Sequence, residues 1–332
     1  MPMEGILFSS AIIILTSYLI YKFGDLFTEA SSDLGEFLKL SKSVKGATID
    51  AIASSLPELM TSLFAVLFFK KFEVGIGTIV GSALFNVLVI PGIAVLVSPV
   101  VFKIGKEVIN RDALFYIGAV IALIIAIYSS SIWRLIIPSI FLAGYGIYVF
   151  IIAKDVKKHR KENMTALKKA KKENHMSLKK TIITIAITMI IIAAATFFLT
   201  QSAIGLAESL SIPAFIVAFI VIAAATSVPD AVISILNAKK GDVDDATSNV
   251  FGSNIFDILI GLAIPLIIAY FIIGSTTIIF EQMELLWTLL ASTLIVYFIM
   301  LRTKKLTKTQ GWLLLGMYLA IISYTIFISL NL

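Results

Sequence analysis

The stretch ATSVPDAVISI, residues 225–235, sets a proline and a carboxylate, Asp230, in the middle of an apolar run. The same order occurs earlier as ASSLPELMTSL, residues 53–63, where Pro57 and Glu58 stand in place of Pro229 and Asp230. A second matched pair follows: VGSALFNVLV at 80–89 and FGSNIFDILI at 251–260. The interval from Glu58 to Asn86 equals that from Asp230 to Asp257 to within one residue. Two matched pairs in one order are poorly explained by chance. A charge at bilayer depth costs at least ~2.5–3.5 kcal/mol, so a duplicated one points to function.

The surroundings of these motifs are lipid-like. The 332-residue chain is 59% hydrophobic and 14% charged, with a mean hydropathy of +1.00 and no cysteine. That excess of apolar residues indicates an integral membrane protein. The missing cysteines exclude disulfides, thiolate metal sites and cysteine nucleophiles. A net charge of +6 does not indicate nucleic acid, because the basic residues sit between apolar spans. The N-terminal MPMEGILFSSAIIILTSYLIY lacks a basic leader and a clear cleavage site, so a retained first helix is expected.

About twenty apolar residues cross a bilayer core. Ten spans are expected, at 5–22, 43–68, 74–100, 113–130, 134–153, 181–201, 212–236, 246–272, 284–301 and 311–329. The polar segment 154–180 divides the chain into a first five-helix repeat, 1–153, and a second, 181–332. It holds both histidines, His159 and His175, so no intramembrane histidine relay exists; its basic charge suits a solvated loop or contact with anionic lipid. All but Lys70, Lys71 and Arg134 of the 27 Lys and Arg flank one face. The positive-inside rule then places both termini outside and loop 154–180 in the cytoplasm of a multi-pass cell-membrane protein. Five spans per half is an odd number, so the second half enters the membrane from the opposite side. The expected fold is all-α: ten transmembrane helices forming two inverted-topology repeats, with helices broken at the midplane. Secondary transporters use this architecture and bind their cargo at the repeat interface.

Of the 21 Asp and Glu, four lie within the expected spans: Asp50, Glu58, Asp230 and Asp257. No Lys or Arg lies well inside a span to pair with them. Either some are protonated or a cation sits among them. The neighbours favour the cation. Ser54, Ser55, Thr226, Ser227, Ser82 and Ser253 offer hydroxyls, and Asn86 and Asn254 offer amide oxygens. Pro57 and Pro229 free the carbonyls of Ala53 and Ala225 one turn back. Such carbonyls survive in a membrane only where they face protein or a cavity. Hard oxygen donors without His or Cys suit Ca²⁺, Na⁺ or Mg²⁺. Ser54/Glu58, Ser82/Asn86, Thr226/Asp230 and Ser253/Asp257 each put a hydroxyl one helical turn before an acid or amide. Polar residues that merely join helices by hydrogen bonds are the plainer reading. Asp50, matched by Ile222, has no symmetry mate; it either reaches interfacial water, Lys42 and Lys45, or lines an inward cavity. Gly77 and Gly81 fit close helix packing, not phosphate binding, since no βαβ unit surrounds them.

GATIDAIASSLPELMTS (46–62) with VGIGTIVGSALFNVL (74–88), and AAATSVPDAVISI (223–235) with SNVFGSNIFDILIGLAIP (248–265), resemble the two alpha-repeats of the cation/calcium exchanger superfamily. The likeness is to sodium/calcium exchangers, including their potassium-dependent branch. It implies exchange of Na⁺ for Ca²⁺ through a diamond of ion sites. By motif position it assigns the acidic Ca²⁺ ligands to Glu58 and Asp230, the paired amide and acid to Asn86 and Asp257, and the hydroxyl ligands to Ser54, Thr226, Ser82 and Ser253. It also implies main-chain oxygens near Ala51 and Ala223, and first and sixth spans that slide across a core of spans 2–3 and 7–8. Asp50, Ser55, Ser227 and Asn254 are accessory candidates. K⁺ enters as a further candidate ion because that branch shares Asp at position 257. The chain departs from the family pattern with Ala53 and Ala225 in place of glycine, with Asp230 in place of the Glu of many members, and with Asp50 added.

The expected function is therefore Ca²⁺/Na⁺ antiport by alternating access, with no enzyme activity, no cofactor and no obligatory protein partner. The partners are inorganic cations and the lipid bilayer. Two alternatives stand beside it: an H⁺-coupled or Mg²⁺-transporting exchanger of the same fold, kept open by Asp50, and, remotely, an intramembrane aspartyl protease using Asp230 and Asp257. The protease reading lacks a Gly-x-Gly-Asp motif and leaves the duplicated hydroxyls without a use.

Overall fold

The structure is a computed structural model that describes residues 2–38, 48–49, 51–129, 135–158, 177–273, 280 and 282–330. Asp50 and most of the 154–180 loop lie outside the described residues.

The first helix, α1 (Pro2–Phe37), is twice the length expected from hydropathy. Its buried stripe explains this: Ile13, Ile20 and Phe27 recur every seven residues and carry the packed face beyond Lys22. Helix α8 (Leu178–Leu210) also outruns its expected span, starting at an N-cap where the Ser177 hydroxyl accepts from the Lys180 amide. The two lie side by side and antiparallel. Gly5 of α1 sits beside Ser209 of α8, and Gly205 of α8 beside Ser9 of α1, so one index rises as the other falls.

Each repeat continues with a broken helix. In the first, α2 (Ala51–Ser54) stops and α3 (Leu56–Leu67) begins after Ser55. In the second, α9 (Ala214–Val217), a π-helical turn (Ala218–Ile222) and α10 (Ala223–Thr226) lead to α11 (Val228–Lys240) after Ser227. The cause is Pro57 and Pro229, which cannot donate to the preceding turn and clash with it. Ser55 (φ −88°, ψ 4°) and Ser227 (φ −79°, ψ 0°) adopt nearly the same backbone conformation, and the second break bends the chain by 43°.

The next span, α4 (Phe72–Leu84), passes through a π-helical turn (Phe85–Val89) into α5 (Ile90–Val97). Pro91 accounts for that turn, which contains Asn86. Its counterpart α12 (Val243–Leu259) breaks just after Asp257 and resumes as α13 (Ala263–Ile273). Outer helices α6 (Leu114–Tyr128), preceded by a π-helical turn (Val108–Ala113), α7 (Ile136–Lys158), α14 (Met283–Thr303) and α15 (Lys308–Leu330) enclose this centre. A two-residue antiparallel pairing of β1 (Phe102–Lys103) with β2 (Lys305–Leu306) ties two loops together.

Among the described residues, eight helices are long and apolar enough to cross a membrane, or nine when the pair bent at Ser227 counts as one span. The second expected span, 43–68, appears as the short apolar helix α3 and the turn α2 before it, with its beginning outside the described residues. Apolar side chains such as Phe8, Phe150, Ile190, Phe271 and Trp312 face outward. Around a multi-span membrane protein that surface meets lipid, while the interior carries the polar groups.

Candidate functional site

The two broken helices, α4 and α12 converge at one point. The first turns of α3 and α11 hold Glu58 and Asp230, each just after a helix start, where the positive end of the helix dipole favours a carboxylate. Asp257 comes from α12. Glu58, Asp230 and Asp257 each offer a carboxylate oxygen within 4.8 Å of the others, and all three are fully buried. Ser54, Ser55, Ser82, Asn86, Thr226, Ser227, Ser253 and Asn254 surround them, also fully buried.

The hydrogen bonds follow the pseudo-symmetry in part. Ser82 donates to Glu58 Oε1 at 3.3 Å, and Ser253 donates to Asp230 Oδ1 at 2.7 Å. Ser227 reaches across to Glu58 Oε1 at 3.3 Å and to the Ser82 hydroxyl at 2.8 Å. In the other half, Ser55 reaches the Ser253 carbonyl at 3.5 Å, and the Ser54 and Ser253 hydroxyls lie 3.2 Å apart. Ser82 also touches Asp257 Oδ2 at 3.5 Å. The Asn86 amide donates to Asp230 Oδ2 at 2.9 Å and to Asn254 Oδ1 at 3.0 Å. Bonds from α4 and its following π-helical turn to α12 run 82-to-257 and 86-to-254, so these two segments are antiparallel as well.

Three buried oxygens at the centre have no hydrogen-bond partner: Glu58 Oε2, Asp257 Oδ1 and Asn86 Oδ1. Buried polar atoms are nearly always paired, so orphaned oxygens of this kind mark a place for a donor or a cation. No basic group lies among these residues, and two of the orphans belong to carboxylates. The donor set is all oxygen, which fits a hard cation such as Ca²⁺ or Na⁺ and does not fit zinc or copper.

The remaining candidates already have hydrogen-bond partners within the protein. The Ala51 carbonyl already accepts from the Ser54 hydroxyl at 3.2 Å and the Ser55 amide at 3.1 Å. The Ala223 carbonyl likewise accepts from the Thr226 hydroxyl at 3.3 Å and the Ser227 amide at 3.0 Å. A carbonyl has two lone pairs, and coordination there would add to these bonds or replace one. Asn254, expected to add an amide oxygen, spends that oxygen on Asn86 and gives its own amide to the Ala83 carbonyl at 3.2 Å. It links the Asn86 side chain to the Ala83 carbonyl.

Close packing brings the halves this near. A Cβ on Gly77 would sit 2.9 Å from the Phe215 carbonyl oxygen, and one on Gly81 would overlap the Phe219 carbonyl. The glycines let α4 lie against the start of the seventh span. Gly24 of α1 likewise faces the Pro229 ring, where a Cβ would sit 2.8 Å from Cγ.

One buried polar cluster escapes sequence reasoning. Asp112 is fully buried, and Arg111 grips both its oxygens at 2.7 and 3.1 Å. Tyr148 of α7 donates to it at 3.2 Å and Ser248 of α12 at 2.8 Å. Adjacent Arg-Asp at a span end reads as interfacial, and neither Tyr148 nor Ser248 carries a signal that would pair it with Asp112.

The sodium/calcium exchanger protein family model matches residues 8–154 and 180–327. Among solved structures, the sodium-calcium exchanger NCX_Mj soaked with 100 mM Na⁺ and 10 mM Sr²⁺ superposes with a TM-score of 0.66 at 25% identity, covering 96% of this chain and 98% of that one. The inner membrane protein YrbG of Escherichia coli is 27% identical over 266 residues, 79% of this chain and 80% of that protein. Sodium/potassium/calcium exchanger 3 of Rattus norvegicus is 38% identical over 138 residues, 41% of this chain but only 22% of that much longer protein. With both halves matched and the carboxylate centre lying between them, the chain is a multi-span membrane transporter, not an enzyme, and it belongs to the sodium/calcium exchanger protein family.

Proposed function

We propose that this chain is a secondary antiporter that exchanges Ca²⁺ for Na⁺ by alternating access. The observation that carries the reading is the set of three buried carboxylates with two orphaned carboxylate oxygens and an orphaned amide oxygen among them. One Ca²⁺, or several Na⁺ on adjacent positions, would neutralise most of that charge. Both occupants need the same oxygens, so they take turns. An empty cage would carry uncompensated charge through the transition, which suppresses uncoupled crossing. That exclusion is what couples one flux to the other.

In this reading Glu58, Asp230 and Asp257 supply the charge. Asn86, Ser54, Ser82, Thr226 and Ser253 complete the oxygen shell, with the Ala51 and Ala223 carbonyls as main-chain ligands and Ser55 and Ser227 supporting them. Residues 1–153 and 181–332 act as the two inverted repeats of a ten-span chain, with both termini outside and the 154–180 loop in the cytoplasm. The helices α1 and α8 are the elements that slide: they pack on each other, and α1 passes the site with Gly24 beside Pro229. K⁺ has no assigned place in the cycle.

The test is ⁴⁵Ca²⁺ uptake into proteoliposomes with Na⁺, K⁺ and pH gradients imposed one at a time. Uptake driven by outward Na⁺ and lost in Glu58→Gln/Asp230→Asn is the expected result. Near-normal uptake in that double variant would refute the reading. Uptake that ignores Na⁺ and follows pH would replace Na⁺ with H⁺ as the coupling ion.

A further inference from the structure

We infer that Asn254 is a positioning residue, which fixes the Asn86 side chain with its oxygen toward the cation. This rests on the cation site proposed above and assigns a role within it. The argument runs through a chain of forced orientations. The Ala83 carbonyl can only accept, so the end of Asn254 that lies 3.2 Å from it must be the amide nitrogen. The other end of Asn254 is then its oxygen, and it can only accept from Asn86, whose nitrogen lies 3.0 Å away. That same nitrogen also meets Asp230 Oδ2 at 2.9 Å. With its nitrogen committed twice, Asn86 must present Oδ1 elsewhere, and Oδ1 is buried with no hydrogen-bond partner.

Without Asn254 the amide loses one of the two acceptors that define its orientation. A rotation by half a turn would then point NH₂ groups at the cation in place of a carbonyl oxygen. An amide is a ligand one way round and a repulsive dipole the other, so the orientation matters more than the presence of the side chain.

The position of Asn254 also explains why the device is single. In the two motifs, VGSALFN and FGSNIFD, Asn254 corresponds to Ala83. The hydrogen bond from Asn254 to the Ala83 carbonyl therefore joins two equivalent positions across the pseudo-symmetry. A second asparagine in place of Ala83, which is fully buried, would have to share the same space. The repeat must break its symmetry here, and Asn86 is the ligand next to that break.

The test is a double-mutant cycle on the purified full chain, reading the Ca²⁺ concentration that half-saturates the thermal-shift response. Asn254→Ala is expected to raise that concentration about tenfold and Asn86→Ala by a similar factor. If Asn254 acts through Asn86, the double variant is no worse than Asn86→Ala by more than about twofold. A double variant near the product of the two single effects would overturn the inference, as would a normal Asn254→Ala. A merely structural residue would lower the melting temperature in every background without this non-additivity in Ca²⁺ response. If Asn254→Ala does not yield monodisperse protein, Asn254→Ser, too short to reach Asn86, takes its place under the same criteria. A wild-type chain with no Ca²⁺ response would remove the proposed function beneath it; a responsive wild type with an additive cycle would remove the role of Asn254 alone.

Discussion

Glu58 and Asp230 hold equivalent positions in the two repeats, after the same proline and the same serine conformation, yet their surroundings differ. Both oxygens of Asp230 are satisfied, by Ser253 and by Asn86. Glu58 has two weak bonds to one oxygen and none to the other, and it faces Asp257, whose Oδ1 is also orphaned. The source of the difference is one substitution across the repeat: Asn86 in the first, Asp257 in the second. An amide at 86 brings donors to Asp230, whereas an acid at 257 brings none to Glu58. Symmetry builds the frame of the site, and the departures from symmetry decide where the unpartnered carboxylate oxygens are concentrated.

A second departure lies away from the centre and carries the largest predicted effect. Asp112 starts the fourth span, and Glu284 starts the corresponding helix of the second repeat. Glu284 is exposed, whereas Asp112 is fully buried and links α7 and α12 through Tyr148 and Ser248. Asp112→Ala removes the buried carboxylate that accepts from Arg111, Tyr148 and Ser248 together. Breaking a buried pair from one side costs about 3–5 kcal/mol. Glu284→Ala should change stability by less than about 0.5 kcal/mol, as for surface positions generally. Thermal unfolding of the two variants in the same detergent checks this, and equal melting temperatures would mean that the Asp112 cluster contributes nothing to holding the repeats together.

The contrast between Glu58 and Asp230 makes a prediction of intermediate size and opposite sign. In buffer free of Ca²⁺ and Na⁺, Glu58→Gln or Asp257→Asn removes a charge that lacks full compensation. Each should stabilise the ion-free protein by about 1–3 kcal/mol, the scale of an unsatisfied buried group. Asp230→Asn removes a carboxylate that protein donors already satisfy and should give no gain. All three should lose the stabilisation that added Ca²⁺ confers on the wild type. Melting curves with and without chelator read both effects. A stabilised Asp230→Asn alongside an unchanged Glu58→Gln would reverse the assignment of the two halves.

Much of this was legible in the sequence because it rests on covalent constraint and repetition. Pro57 and Pro229 dictate a break wherever they fall in a helix, and the matched motifs around them identify the acids that meet. What stayed hidden depends on contacts between distant segments. Nothing in INRDALFY shows that Asp112 turns inward, since that follows from where Tyr148 and Ser248 lie. Asn254 is recognisable from the sequence as an oxygen donor, but the direction of its amide is set by the Ala83 carbonyl, 171 positions away. Hydropathy also underestimates α1, because its later turns pack on the protein, with Gly24 against Pro229 and Phe27 in a cluster with Ala53, Leu56 and Ile192. The motif Ser-Asn-Ile-Phe-Asp names the side chains; the antiparallel register of α4 and α12 decides which atom of each is hydrogen-bonded and which is left open.

The last contrast sets the packed centre against the pair proposed to slide. Gly81 of α4 lies where an added methyl would overlap the Phe219 carbonyl, a backbone atom with nowhere to move. Gly81→Ala should therefore destabilise by about 1–3 kcal/mol, as overpacking does. A methyl added at Gly5 of α1 would meet only the Ser209 hydroxyl, at 3.1 Å, and a serine side chain can rotate away. Gly5→Ala should gain up to about 1 kcal/mol of helix propensity. If α1 and α8 slide together across the core, added bulk inside the pair should leave both exchange and Ca²⁺ binding unchanged, whereas Gly81→Ala should impair both. Measuring half-saturation and maximal ⁴⁵Ca²⁺ flux for each variant divides the two cases: a Gly5→Ala protein with reduced maximal flux and normal half-saturation would mean that the first and sixth spans move against each other and not as a pair.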